Sequence, residues 1–123
     1  MRLLTMTNTK PYRSRKYLDY VNSLPCSICG GYSENHHIKS HGQGGTSKAS
    51  DLFTMPLCRL HHIELHSGVM TWEAKNGVQW YYVGLTLKRA INNGVIDIET
   101  VLTEIEQRII NELDREMVTE WIM

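Results

Sequence analysis

All three cysteines and all six histidines of this 123-residue chain lie between Cys26 and His66. That third of the chain is rich in metal donors and the rest has none of these two types. A fold that gathers such donors is held by what they bind as much as by its core. Three is an odd number for disulfides, so bound metal is the better reading of the cysteines. The stretch LCRLHHIELH (57–66) concentrates the problem, because His61 and His62 are neighbours. Neighbours on a helix point about 100° apart, so they do not easily share one ion.

Two donor sets follow from the spacing. Cys26, Cys29, Cys58 and His61 form a C-x2-C and a C-x2-H, with His62 as the alternative fourth member. Two such knuckles fold over one tetrahedral Zn²⁺, and four protein ligands make a closed, structural site. The 28-residue gap between knuckles is longer than the roughly 12 residues of a DNA-reading two-Cys two-His finger. The remaining histidines are His36, His37, His41, His62 and His66. His62 and His66 share one helix face. His36 and His37 face opposite sides of a proposed strand, so one can join that pair while the other stays free. Three protein ligands leave open positions, the catalytic pattern. A free imidazole nearby is a candidate general base.

The coarse reading is α+β. Residues 14–23 predict a helix capped by Ser14, with Tyr17, Leu18 and Val21 on one stripe. Strands are expected over 33–38 and 52–55, separated by the Gly/Ser-rich loop 39–50. A helix over 57–67 follows Pro56 and stops at Gly68. TWEAKNG (71–77) reads as a single turn. Residues 78–92 read as a helix, although VQWYYV alone also suits a strand. From Asp97 as cap, Ile98, Leu102, Ile105, Ile109, Leu113, Met117 and Trp121 recur every three or four residues. That is a long amphipathic helix, packed on its own domain or on a second copy as a homodimer. The division is a basic extension (1–13), a core domain (14–94) and an acidic helix (95–123).

Zero net charge hides an asymmetry. Residues 1–93 carry eleven Lys and Arg against five Asp and Glu, and residues 94–123 carry two against eight. A basic body suits a polyanion such as nucleic acid. No apolar run approaches eighteen residues, so no membrane span is expected. MRLLTMTNTK lacks the apolar core of a signal peptide, which reads as a frayed terminus of a cytosolic protein.

The order CSIC (26–29), NHHIKSHGQGG (35–45), DLFTMPLC (51–58), HHIELH (61–66) resembles the HNH, or ββα-metal, nuclease family. It is more similar still to the phage Ref-like branch, which shares HHI-x-x-HGQGG and FT-x-PLC-x-x-HH-x-x-LH. The similarity covers about residues 14–77 and weakens toward 94. It implies a small zinc-stabilised ββα-metal core with flanking helices. His37 matches the general base, His36, His62 and His66 match ligands of a catalytic divalent metal, and Cys26, Cys29, Cys58 and His61 match the supporting zinc. The third signature residue, commonly Asn, falls on Phe53, which cannot do that polar job. Asp51 stands two residues earlier, where it would orient His37 or reach the metal.

The resemblance implies hydrolysis of DNA phosphodiesters with low sequence specificity, using Mg²⁺, Mn²⁺, Zn²⁺ or Ni²⁺, with 3′-hydroxyl and 5′-phosphate products. It also implies a phage or bacterial cytoplasm, and a link to recombination in which a recombinase–DNA filament is one possible substrate. Lys10, Arg13, Arg15, Lys16, Lys39, His41, Lys48 and Arg59 are the candidate DNA contacts. The alternative is a zinc-stabilised nucleic-acid-binding module that does not cut.

Overall fold

A computed structural model describes residues 11–38 and 49–122 of the chain. The architecture is α+β. Helix α1 (Arg15–Ser23) precedes strands β1 (Glu34–His37) and β2 (Thr54–Leu57), and helices α2 (Arg59–Ser67), α3 (Val69–Asn76), α4 (Gln79–Asn92) and α5 (Ile98–Ile122) follow. Ser14 caps α1, its hydroxyl accepting the Tyr17 N–H at 3.1 Å. Tyr17 and Val21 turn into the core, as the stripe requires.

The sheet is a single antiparallel pair, with His36 opposite Met55 and His37 opposite Thr54. A two-stranded ribbon is marginal by itself. Here helices and loops cover it, and all four β2 residues are buried. β2 runs two residues later than the sequence predicts, taking in Pro56 and Leu57. The ladder explains how a proline fits. Ile38 N–H donates to Phe53 O at 3.0 Å, so Asn35–Pro56 falls at a pair that exchanges no hydrogen bonds. Pro56 therefore costs the ladder nothing, and its carbonyl accepts the Ser27 N–H at 2.9 Å. The next helix consequently starts at Arg59, with Cys58 at its N-cap.

TWEAKNG is more than one turn. It belongs to α3, which begins at Val69 directly after Gly68. Gly77 ends that helix with φ +98, a conformation that favours glycine. VQWYYV is helical because Val83, Leu87 and Ala90 recur on one buried face of α4, which packs on β2. The Glu73 carboxylate accepts the Gln79 N–H at 2.8 Å and so supplies α4 with a cap.

Asp97 caps α5 by accepting the Thr100 N–H at 2.8 Å. The face of α5 turned to the domain carries Val101 and Gln107. The Arg108 guanidinium lies 4.7 Å from the Trp80 ring centroid. The apolar stripe lies elsewhere: Ile98, Leu102, Ile105, Ile109 and Leu113 keep 39–53% of their surface exposed. Among the described residues, no helix is long and apolar enough to cross a membrane.

Candidate metal centres

The knuckle Cys26–Gly31 is a tight turn closed by the Cys26 N–H to Gly31 O and the Gly30 N–H to Cys26 O. Gly30 takes φ +78 there, which glycine adopts without strain. Cys58 and the first turn of α2 face this knuckle. The donor atoms of Cys26, Cys29, Cys58 and His61 all lie within 4.8 Å of one another. Cys29 Sγ to Cys58 Sγ is 3.8 Å. His61 Nδ1 is 3.2 Å from Cys58 Sγ and 3.8 Å from Cys26 Sγ. Tetrahedral zinc, with Zn–S of about 2.3 Å and Zn–N of about 2.0–2.1 Å, holds its ligands about 3.5–3.8 Å apart, so the set fits Zn²⁺ with small adjustment. All three cysteines are free of disulfides. Burial opposes ionisation of Cys26, but backbone hydrogen bonds at Cys29, Cys58 and Ile28 outweigh it and bring the thiol down to about 6. A thiolate is the form a metal binds.

The second group is His36, His62 and His66, again within 4.8 Å of one another. His61 stands with the cysteines and His62 with the other histidines, so the neighbours divide between two groups. His36 Nδ1 is 3.1 Å from His62 Nε2. The other nitrogen of each ring is engaged: His36 Nε2 with Gln79 Oε1 at 2.7 Å, and His62 Nδ1 with Glu34 Oε1 at 2.9 Å. Two imidazole ligands on one tetrahedral ion lie about 3.3 Å apart, so this pair also fits a small divalent cation. Burial pushes the His36 imidazole down to about 4. It is therefore neutral near pH 7, as a ligand must be. The Glu34 carboxyl is held below its ordinary range by His62 and then by Arg59. His36 is buried and His66 exposed, so the group is walled on one side and open on the other. Three donors with an open side differ from the four-donor set in what they leave free.

His37 does not join either group. It lies on the face of β1 opposite His36, and its Nε2 is 2.8 Å from Asp51 Oδ1. Asp51 reaches it from the turn before β2. The carboxylate is fixed from two other sides, by the Ser14 N–H at 2.8 Å and Arg13 Nη1 at 3.5 Å. Asp51 accepts at Nε2, which leaves Nδ1 of His37 as the nitrogen able to take a proton. Phe53 is buried, in edge-on contact with Trp80 at 5.2 Å between centroids. The departure from the Asn pattern is thus a core residue.

The basic residues divide. Arg13 is drawn inward to Ala49 O at 2.7 Å, Arg15 pairs with Asp19 at 3.8 Å, and Arg59 pairs with Glu34 at 3.3 Å. Lys16 is exposed. Lys10, Lys39, His41 and Lys48 lie outside the described residues. Sequence reasoning did not single out Glu34 or Gln79. Glu34 shares a strand face with His36 by the two-residue period, a signal that was available. Gln79 stands 43 residues from its partner, and no local pattern marks it.

Residues 3–94 match a family described as "Protein of unknown function (DUF968)". The chain belongs to that family. Both donor groups, His37 and Asp51 lie within the family segment, whereas the whole of α5 lies beyond it. The chain is also similar to "Uncharacterized protein YdfU" of Escherichia coli (strain K12), with 43% identity over 83 residues, covering 66% of this chain and 24% of the relative. It thus aligns with about a quarter of that relative's length. No solved structure gave a significant match.

Proposed function

We propose that this family member is a metal-dependent DNA endonuclease of the HNH, or ββα-metal, type, with low sequence specificity. The observation that carries the reading is the division of labour around α2. Cys58 and His61 complete a four-donor group, while His62 and His66 open a three-donor group beside His36. The succession β1, β2, α2 that supports both groups has the order of a ββα-metal core.

In this reading Cys26, Cys29, Cys58 and His61 hold zinc and fix the start of α2 against the knuckle. His36, His62 and His66 hold the second divalent ion. When bound, that ion supplies positive charge to a phosphate oxygen and to the leaving oxygen. His37 takes the proton of the attacking water at Nδ1, and Asp51 keeps the ring turned by accepting from Nε2. The exposed Lys16, with Lys10, Lys39 and Lys48, binds phosphates without reading bases. Arg13 serves Asp51 first and DNA second. The setting this implies is a bacterial or phage-infected cytoplasm, with recombination as the associated process.

The test is a supercoiled plasmid incubated with metal-loaded protein, followed by DNA ligase. Nicked circles that ligase reseals carry the 3′-hydroxyl and 5′-phosphate ends of this chemistry. Salt-sensitive binding without any nick would instead establish the non-cutting nucleic-acid-binding module.

The exposed stripe of α5 supports a homodimer, which would bring two cutting sites together. The stripe borders a groove of about 330 Å³ lined by Phe53, Trp80, Val83, Leu87, Ile105 and Ile109, a contiguous apolar surface of the kind partners cover. Light scattering on a sizing column should give twice the chain mass of 14.2 kDa. Leu102→Glu should return it to one chain. A wild type of single-chain mass at micromolar concentration contradicts the dimer.

A further inference from the structure

The metal-facing histidines carry their own instructions about which nitrogen to offer. A neutral imidazole has one N–H and one lone pair, and whatever the N–H bonds to decides where the lone pair points. Glu34 Oε1 can only accept, so His62, 2.9 Å away at Nδ1, must place its proton there. Its lone pair is then on Nε2. Gln79 Oε1 also accepts, so His36 places its proton on Nε2, 2.7 Å away, and its lone pair on Nδ1. The two lone pairs face each other across 3.1 Å. Two acceptors at that distance repel unless a cation lies between them.

We propose that Gln79 and Glu34 are positioning residues that fix opposite tautomers on His36 and His62, turning Nδ1 of one and Nε2 of the other toward a shared divalent cation. This rests on the reading of the three-histidine group as a metal site. Both residues are built for the task. Gln79 is 9% exposed, and its backbone is pinned by Glu73 at 2.8 Å. Glu34 is held from its other oxygen by Arg59 at 3.3 Å. Gln79 comes from α4, so the packing of α4 on β2 is coupled to metal affinity. A ligand on a short strand otherwise has nothing beyond its own rotamer to orient it.

The experiment uses the full chain loaded with Zn²⁺, and has two readouts. Long-range ¹H–¹⁵N spectra of the imidazoles should show His36 protonated at Nε2 and His62 at Nδ1. Competitive titration should show one very tight zinc and a second, weaker one. Gln79→Met, of similar length but without the acceptor, should weaken the second about 10–100-fold and leave the first unchanged. Glu34→Ala should weaken the second about 10-fold or more. Gln79→Glu keeps an acceptor and should stay within a few-fold of wild type. A wild type that binds one zinc only overturns the three-histidine site itself, and this inference with it. Two zincs with unchanged second affinity in Gln79→Met, or His36 protonated at Nδ1, overturns the positioning role alone. Should Gln79→Met fail to fold, the wild-type tautomers still decide.

Discussion

Cys58→Ser is expected to cost the protein its fold. The described core rests on a two-stranded sheet of four residues per strand with helices around it. Small domains of this size are stable by about 5–15 kcal/mol, whereas a structural zinc contributes about 10–16 kcal/mol of binding free energy near pH 7. Loss of one thiolate also leaves Cys26, Cys29 and His61 crowded around no charge. Circular dichroism should show a non-cooperative melt, and metal analysis should show zinc lost. A strong chelator should do the same to the wild type. His66→Ala is the contrast: His66 is exposed, so its removal should leave the fold and the tight zinc intact and remove the weaker ion. Equal destabilisation by the two substitutions would contradict the partition into a structural and a working group.

His37→Ala should abolish cutting while sparing everything else. General-base catalysis contributes about 10²–10⁴-fold, and among the described residues no other imidazole stands on that face of β1. The side chain is partly buried and bonds to Asp51, whose carboxylate keeps the Ser14 N–H and Arg13, so the variant should stay folded and lose about 1 kcal/mol, the net contribution of one hydrogen bond. Both zincs and the salt-dependent affinity for DNA should be kept. Nicking at the wild-type rate would remove His37 from the mechanism and shift the role of Asp51 to holding the turn before β2.

Much of this was legible in the sequence wherever the cause is local. Ser14 and Asp97 mark helix starts because a side-chain oxygen can reach an orphan N–H three residues on, and both do. The separation of His61 from His62 follows from the turn of a helix. The position of β2 was harder, because Pro56 reads as a helix start. Only the pairing register shows that its missing N–H falls at an unbonded pair. VQWYYV was ambiguous for the same kind of reason: burial of Val83, Leu87 and Ala90 along one face decides for helix, and burial is a tertiary fact. The α5 stripe was visible, but the helix docks through Val101 and Arg108, so periodicity showed a sticky face without showing which surface it meets. Gln79 was invisible, since contact with His36 is made across 43 residues.

The proposed phosphodiester hydrolysis is tested most directly on a supercoiled plasmid. Protein stripped of its weaker ion should leave the plasmid supercoiled. Resupply of Mn²⁺, Mg²⁺, Zn²⁺ or Ni²⁺, each tried singly, should produce nicked circles with at least one of them, and His37→Ala at equal metal content should not. A wild type that retains both metals and binds the plasmid, yet leaves it supercoiled with all four ions, would contradict the nuclease.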